Sequence, residues 1–532
     1  MSSPPTIRRR ARRARPIIVL AATAPCVLAA ACVHVFTTVA VDDVRPAGGT
    51  DSVVVRSAVK AHLLDGSTVV YPGGVLVADG VVRGDGARHA IGSVAAQRTT
   101  AIALDSVAAM ESFADETQVG TTVLVSALAT GAAVVAAAGA AVAIFGSCPT
   151  VYSDSAGQHV LEAEGFSYSI APLFERRDVD RLRAVASADG RLRLEVRNEA
   201  LETHYLNHFE LLEVRHAPGE YVAPDGDGRA LVLRGLRPAA RVVDRAGRDV
   251  AAALRDADGT LFATAPTTLA AATVDDLEDH LDVTVPAAAG ADSVAVVLRL
   301  RNSLLNTVLL YDEILGASGA RSLDWMARDL SRITDAVELG RWYAARMGLR
   351  VAVGDGAAWR PVARVGDAGP IAFHDVVVLV PAVRNAAGDV RVRLSFTADN
   401  WRIDRLAVAA GFRRATPRAI PVTDLRGADG AADTAALAGV REPDDRYLVT
   451  TPGQHLALRF DAGAIAPDSA RTFLLASQGY YLEWVRGSWL KSASRREAFR
   501  PGDASLFAAL HRWRNVRPDF EERFYASKIP VR

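Results

Sequence analysis

From residue 50 to 110 the chain sets β-branched residues in short runs, 53–55, 68–71, 75–77, 81–83 and 101–104. Asp65-Gly66, Pro72-Gly73-Gly74, Asp79-Gly80 and Asp85-Gly86 separate them. Such pairs supply the left-handed backbone of tight hairpin turns, so the pattern predicts a small β-meander. Arg83-Gly84-Asp85 falls inside it and reads as a Gly-Asp-Gly turn rather than an adhesion motif.

The pattern then changes. No charged residue stands between Glu116 and Asp154, and 119–145 is a nearly continuous apolar run. At a rise of 1.5 Å per residue this run is long enough to cross a bilayer as a helix. Ala127 with Gly131, and Ala132 with Ala136 and Ala140, place small residues four apart, as closely packed membrane helices do. Its Ala-rich composition and its Thr residues keep a buried helix or helical hairpin open as the other reading.

After Cys148, strand-like runs recur at 192–197, 209–214, 294–301, 376–380, 390–396, 456–460 and 472–476. They alternate or are continuously apolar, as sandwich strands are. Three pairs of runs look alike: 192–198 before 205–212, 297–302 before 309–315, and 392–396 before 401–408. Asn207, Asp312 and Asp404 stand near the start of the second member. The pattern predicts a repeated hairpin of adjacent antiparallel strands, similar to the closing strands of galactose-binding-like β-sandwiches. One amphipathic helix interrupts the body, with Leu323, Met326, Leu330, Ile333, Val337 and Trp342 on one face between Ser322 and Met347.

Length changes this picture by requiring several domains: 532 residues exceed a single core. The expected division is 1–31 signal segment, 32–117 small β domain and 118–146 apolar helix. It continues as 147–320 β domain, 321–413 amphipathic helix plus β-sandwich-like domain, and 414–532 C-terminal β region with a basic tail. Basic and acidic residues balance at 61 each, so no overall field would gather nucleic acid, and none is expected as a partner. All seven Trp lie from Trp325 to Trp513, which predicts a dense core in the last third in preference to a sugar-stacking surface.

The N-terminus carries an address. Six arginines from Arg8 to Arg15 precede an apolar run, 17–31, too short for a comfortable span, which is the form of a secretory signal. It ends Leu28-Ala29-Ala30-Ala31-Cys32, which resembles the lipobox of bacterial lipoproteins and implies lipidation of Cys32. Ala29 stands where that family carries a larger aliphatic residue, so ordinary cleavage and an uncleaved anchor stay open. With Cys26 removed and Cys32 lipidated, Cys148 is left alone; a Cys32–Cys148 bridge would exclude lipidation. A lipid on Cys32 and a span at 119–145 would together put the small domain and the body on opposite sides of one membrane.

Catalytic signatures are weak throughout. No phosphate loop, zinc-protease helix or paired Cys-x-x-Cys occurs. Gly316-Ala317-Ser318-Gly319-Ala320 lacks the last glycine of a nucleophile elbow and reads as a loop. His204 and His208 would share a helix face, but their surroundings read as strand, where they stand about 13 Å apart and share no ion. Asp225-Gly226-Asp227-Gly228 and Asp275, Asp276, Glu278 and Asp279 lack a full calcium ladder and read as a turn and a solvated face. His374-Asp375 has no nucleophile to serve. The basic tail, with Arg495, Arg496, Arg512, Arg514 and Arg517, reads as a surface helix and extension in preference to a partner or lipid-headgroup contact. No catalytic, metal or cofactor residue is expected.

Several phrases resemble an uncharacterised group of bacterial envelope lipoprotein-like proteins: Leu64-Asp65-Gly66-Ser67, Leu104-Asp105-Ser106-Val107, Ser147-Cys148-Pro149-Thr150-Val151-Tyr152 after the apolar segment, and Gly479-Tyr480-Tyr481-Leu482-Glu483-Trp484. The resemblance implies the same layout and brings no activity. The expectation is therefore a mainly β chain: a small β-meander domain, one apolar transmembrane helix, and a large multi-part β-sandwich-like body with one amphipathic helix. It would be membrane-anchored in the bacterial cell envelope, touching membrane lipid and an envelope protein or glycan. Its role would be binding or structural, the alternative being a glycan-acting hydrolase with dispersed carboxylates.

Overall fold

The expected N-terminal β region is present as a sheet, but it is not a meander: Val53–Val55 pairs with Val75–Ala78 and Thr68–Tyr71 with Val81–His89, neighbours that are not consecutive in the chain. Its antiparallel strands run in the order Val53–Val55, Val75–Ala78, Val81–His89, Thr68–Tyr71, Ala58–Leu63, Val107–Phe113 and Val485–Arg486, with Ala96–Ala103 also pairing to Val81–His89. The computed structural model describes residues 52–114 and 148–531, except 92, 94, 156, 287–289, 357, 466–468 and 493–498. All of these belong to one of two compact units, Val39–Arg532; the other, Met1–Thr38, lies outside the described residues.

Gly66 at φ 81°, and Asp79 and Gly80 at 52° and 70°, make the expected turns. Asp85-Gly86 does not. Arg83-Gly84-Asp85 lies inside the strand Val81–His89, at a shift of register between Arg83 and Gly86. A Cβ on Gly84 or Gly86 would come within 2.9 or 2.6 Å of the fully buried Tyr71 ring, so these glycines mark a bulge that admits a tyrosine.

Two β-sandwiches follow. In the first, strands Arg176–Arg181, Ala470–Glu483, Glu202–His216, Arg418–Pro421 and Leu448–Thr450 face Asp424–Arg426, His455–Asp461, Arg191–Arg197, Thr150–Ser155 and Gln158–Glu164. Leu194, Phe209, Leu211, Phe460 and Phe473 fill the space between. In the second, strands Tyr221–Pro224, Ala230–Pro238, Trp401–Arg414, Ser293–Asn302 and His374–Pro381 pack on Arg241–Asp244, Glu278–Pro286, Asp389–Thr397, Leu349–Gly354 and Trp359–Val365. Val296, Leu298, Val392, Phe396 and Trp401 form that core. Burial alternates with period two along Arg191–Arg197 and Asp389–Thr397, as one-sided strands require.

The second sandwich is inserted into the first, between Glu202–His216 and Arg418–Pro421, so the first draws strands from both 147–320 and 414–532. Val179, Leu212 and Leu474 pack on Val222 and Val232 where the two meet.

The predicted hairpins are corrected. Arg191–Arg197 and Glu202–His216 lie in opposite sheets of one sandwich, and so do Asp389–Thr397 and Trp401–Arg414. Each pair is an arch across a core, because both strands carry an inward apolar face that a flat hairpin would leave on one surface. The third pair fails differently: 309–315 is helical, within Leu305–Val308 and Leu309–Gly316.

The amphipathic helix is also broken. Arg321–Asp324 runs into Trp325–Asp329, whose wider i→i+5 turns precede a bend, and a separate helix, Ile333–Met347, follows. Leu323, Met326 and Leu330 are buried as expected, whereas Ile333 is 71% and Val337 42% exposed. The wide turn and the bend rotate Ile333 and Val337 off the core, while Trp342 still packs against it. The basic tail forms a helix, Asp503–Ala526, that buries Leu506, Leu510, Trp513, Phe520 and Phe524. Its Arg512 pairs with Asp312 at 2.5 Å and Arg517 with Asp399 at 3.0 Å. Among the described residues no helix is long and apolar enough to cross a membrane; the apolar run 119–145, Cys32 and the basic leader lie outside them.

Candidate binding cavity

The helices from Leu305 to Met347 enclose a cavity of about 600 Å³ together with the 167–176 segment, Tyr481 of the first sandwich and the 364–370 segment of the second. Its depth is apolar: Ile170, Leu309, Leu310, Ile314, Trp325 and Leu339. Leu173, Ile333 and Val337 border it and are 48%, 71% and 42% exposed. They are three of the seven large hydrophobic side chains exposed among the described residues, so exposed apolar surface gathers at this mouth instead of scattering.

Some polar groups on the wall are held by neighbours. The Tyr343 hydroxyl donates to Asp367, and Arg176 lies 3.9 Å over the Tyr168 ring. Burial, then neighbouring Asp367, holds the Tyr343 phenol well above its ordinary range, so it stays protonated at neutral pH. Arg341 and Arg364 complete the rim. A Cβ on Gly348 would sit 2.7 Å from the Ala344 carbonyl oxygen and 3.1 Å from the Arg364 stem, so the helix end closes there without a side chain.

The loop carrying Asp367, Gly369 and Pro370 is pinned from behind. Glu164, fully buried, accepts hydrogen bonds from the backbone N–H of Ile371 and Ala372 at 2.7 and 3.1 Å, with Cys148 Sγ 3.8 Å from its other oxygen. A Cβ on Gly369, at φ 71°, would lie 2.4 Å from Glu164, so no side chain fits there. His374 Nδ1 meets Asp180 Oδ1 at 2.5 Å, tying the second sandwich to the first. Burial disfavours the charged imidazole, but Asp180, with Asp178 and Glu164 adding to it, outweighs burial and raises His374 to about 10.

The opposite wall joins the N-terminal sheet. Tyr311 donates to Glu483 at 2.9 Å, and Arg486 pairs with Glu483 and lies 4.3 Å over the Tyr311 ring. Burial, only partly offset by Arg486, pushes Glu483 up to about 7. Beyond it Lys60 and His62 meet Glu111 at 3.2 and 3.0 Å, Thr203 donates to Glu111 at 2.8 Å, and His62 stacks on Trp484. Burial opposes the Glu111 charge, yet Lys60 and the His62 hydrogen bond overcome it and hold the carboxyl at about 2. Burial alone dominates at His62, which falls to about 4.

The residues singled out from sequence do not converge on the cavity. His204 is buried beside Glu202 at 3.0 Å, while His208 is half-buried on the same strand past a bulge at Asn207. Ser318 donates to the Ile314 carbonyl at 2.6 Å, so the Gly316–Ala320 phrase ends a helix instead of aiming a nucleophile. Asp225 closes a turn by accepting from the N–H of Asp227 and Arg229, and Asp276 pairs with Arg245. Asp375 faces away from His374, toward Arg299, Arg405 and Tyr221. Among the described residues no group of His, Cys, Asp or Glu is placed to hold a metal ion. Arg495 and Arg496 lie outside the described residues.

Sequence reasoning missed the cavity because its walls come from five separate stretches. One signal was present: Ile333, Val337 and Arg341 recur every four residues, a helical stripe passing from apolar to basic. No protein-family model matches the chain, and no curated protein matches it.

Proposed function

We propose that this protein is a non-enzymatic binding component of the bacterial cell envelope, and that it takes an apolar ligand into the cavity beneath the helices. One observation carries the binding part: an apolar cavity of ligand size whose lip is made of exposed Leu173, Ile333 and Val337. Soluble surfaces seldom gather such residues without a partner. The address rests on the basic and apolar leader and on the lipobox-like Leu28–Cys32, which would fix the chain to membrane lipid through Cys32. An envelope protein or glycan would meet the remaining surface. Among the described residues the cavity wall carries one carboxylate, Asp367, already engaged by Tyr343. Glycoside hydrolysis normally uses two facing carboxylates, so this site favours binding over hydrolysis.

Two measurements test the proposal. Full-length protein extracted from bacterial membranes should show saturable uptake of the neutral apolar dye Nile red. Gly340→Phe should abolish it, since only Phe174, at 3.4 Å, stands near that position on the cavity wall. Absence of saturable uptake, or full uptake by a Gly340→Phe protein with native circular dichroism, would reject the cavity. For the address, intact mass should show an acylated N-terminal Cys32; full-length protein recovered unlipidated from the cytosol would reject it.

A further inference from the structure

We infer that the cavity ligand is a long-chain fatty acid, its chain in the apolar depth and its carboxylate at the arginines of the rim. The inference rests on the reading of the cavity as a binding site and adds the class of ligand. Among the described residues three arginines, Arg176, Arg341 and Arg364, line the cavity, all exposed, against one acid, Asp367. None of the three forms an ion pair with a described residue, whereas exposed arginines such as Arg229, Arg245 and Arg446 are paired with Asp227, Asp276 and Asp444. In a chain whose charges cancel overall, this rim is locally positive. Guanidinium groups match a carboxylate in geometry as well as sign.

The order of the lining fits one amphiphile. Along Ile333–Met347 the stripe Ile333, Val337, Arg341 passes from apolar to charged, and the aromatic Tyr168 holds Arg176 by its face. A cavity of about 600 Å³ is of the size that takes one small ligand, and one long acyl chain with its carboxylate is of that class.

The test is displacement of Nile red from the full-length protein by ligands of one chain length: palmitate, hexadecanol and hexadecyltrimethylammonium. Dioleoylphosphatidylglycerol vesicles serve as the two-chain source of negative charge. Palmitate should displace the dye at about tenfold lower concentration than hexadecanol, as one or two charge-assisted hydrogen bonds provide. The ammonium compound and the vesicles should be weaker still. The variant Arg176→Gln/Arg341→Gln/Arg364→Gln, all at exposed positions, should still bind Nile red and hexadecanol but lose the preference for palmitate. Equal potency of hexadecanol and palmitate, a preference that survives in the triple variant, or stronger displacement by the vesicles would each overturn the inference while leaving the cavity in place. Failure of Nile red itself to bind would instead remove the reading on which it rests.

Discussion

His374 shows how one buried pair makes stability depend on pH. Its folded value of about 10 lies above the ordinary 6.5, so the pair with Asp180 contributes fully below about pH 6.5 and is lost as pH rises through 10. Removing one partner of a buried pair costs about 3–5 kcal/mol. His374→Gln should therefore cost that much at pH 6 in urea unfolding, and progressively less toward pH 10. A cost unchanged across that range would mean that His374 is neutral in the folded protein. The sequence displays His374 beside Asp375, but neighbours on a strand point to opposite faces, so the two serve different partners. The true partners, Asp180 for one and Arg299 and Arg405 for the other, are distant in the chain, and nothing local announces them.

At the level of single elements, the phrase Gly479-Tyr480-Tyr481 acquires a reason. Gly479 lies opposite Leu206, beside the bulge at Asn207, and a Cβ there would come 2.4 Å from the Tyr205 carbonyl and 2.9 Å from the Phe166 ring. Tyr205 and Tyr480 stack at 4.5 Å on the same pair of strands. Gly479→Ala should thus destabilise by about 1–3 kcal/mol, the cost of overpacking, read as a shifted denaturant midpoint; an unchanged midpoint would show that the strand can move aside.

Strand-like runs were legible: 192–197, 390–396 and 456–460 fall inside Arg191–Arg197, Asp389–Thr397 and His455–Asp461. Connections were not, because period-two burial says which way side chains point and not which sheet a strand joins. The stripe Leu323 to Trp342 was read as one face, since the wide turn at Trp325–Asp329 leaves no mark on composition. That misreading hid the exposed lip of the cavity.

For the molecule as a whole, the N-terminal sheet and the body are bound as one structure. Val485–Arg486 pairs with Val107–Phe113, Trp484 stacks on His62 at 3.7 Å, and Thr203 reaches Glu111. Calorimetry of the full-length protein should show the sheet and body melting together. A 150–532 fragment, which exposes Trp484 and Arg486, should melt lower by roughly 2–4 °C for each kcal/mol of the lost contacts. Separate transitions for sheet and body, or a fragment as stable as the whole, would show that they fold independently.

Insertion of the second sandwich also sets a timetable for synthesis. The strand Glu202–His216 leaves the ribosome long before its neighbour Ala470–Glu483, whose end pairs with His216 roughly 250 residues later. At translation speeds of about 5–20 residues per second, that strand waits on the order of ten seconds or more with an open edge. The inner sandwich, whose strands are all made in the interval, is free to fold first and to hold the waiting ends together. Unpaired strand edges are aggregation-prone, so the outer layer is the part of this chain most exposed to misassembly before its partner strand is made.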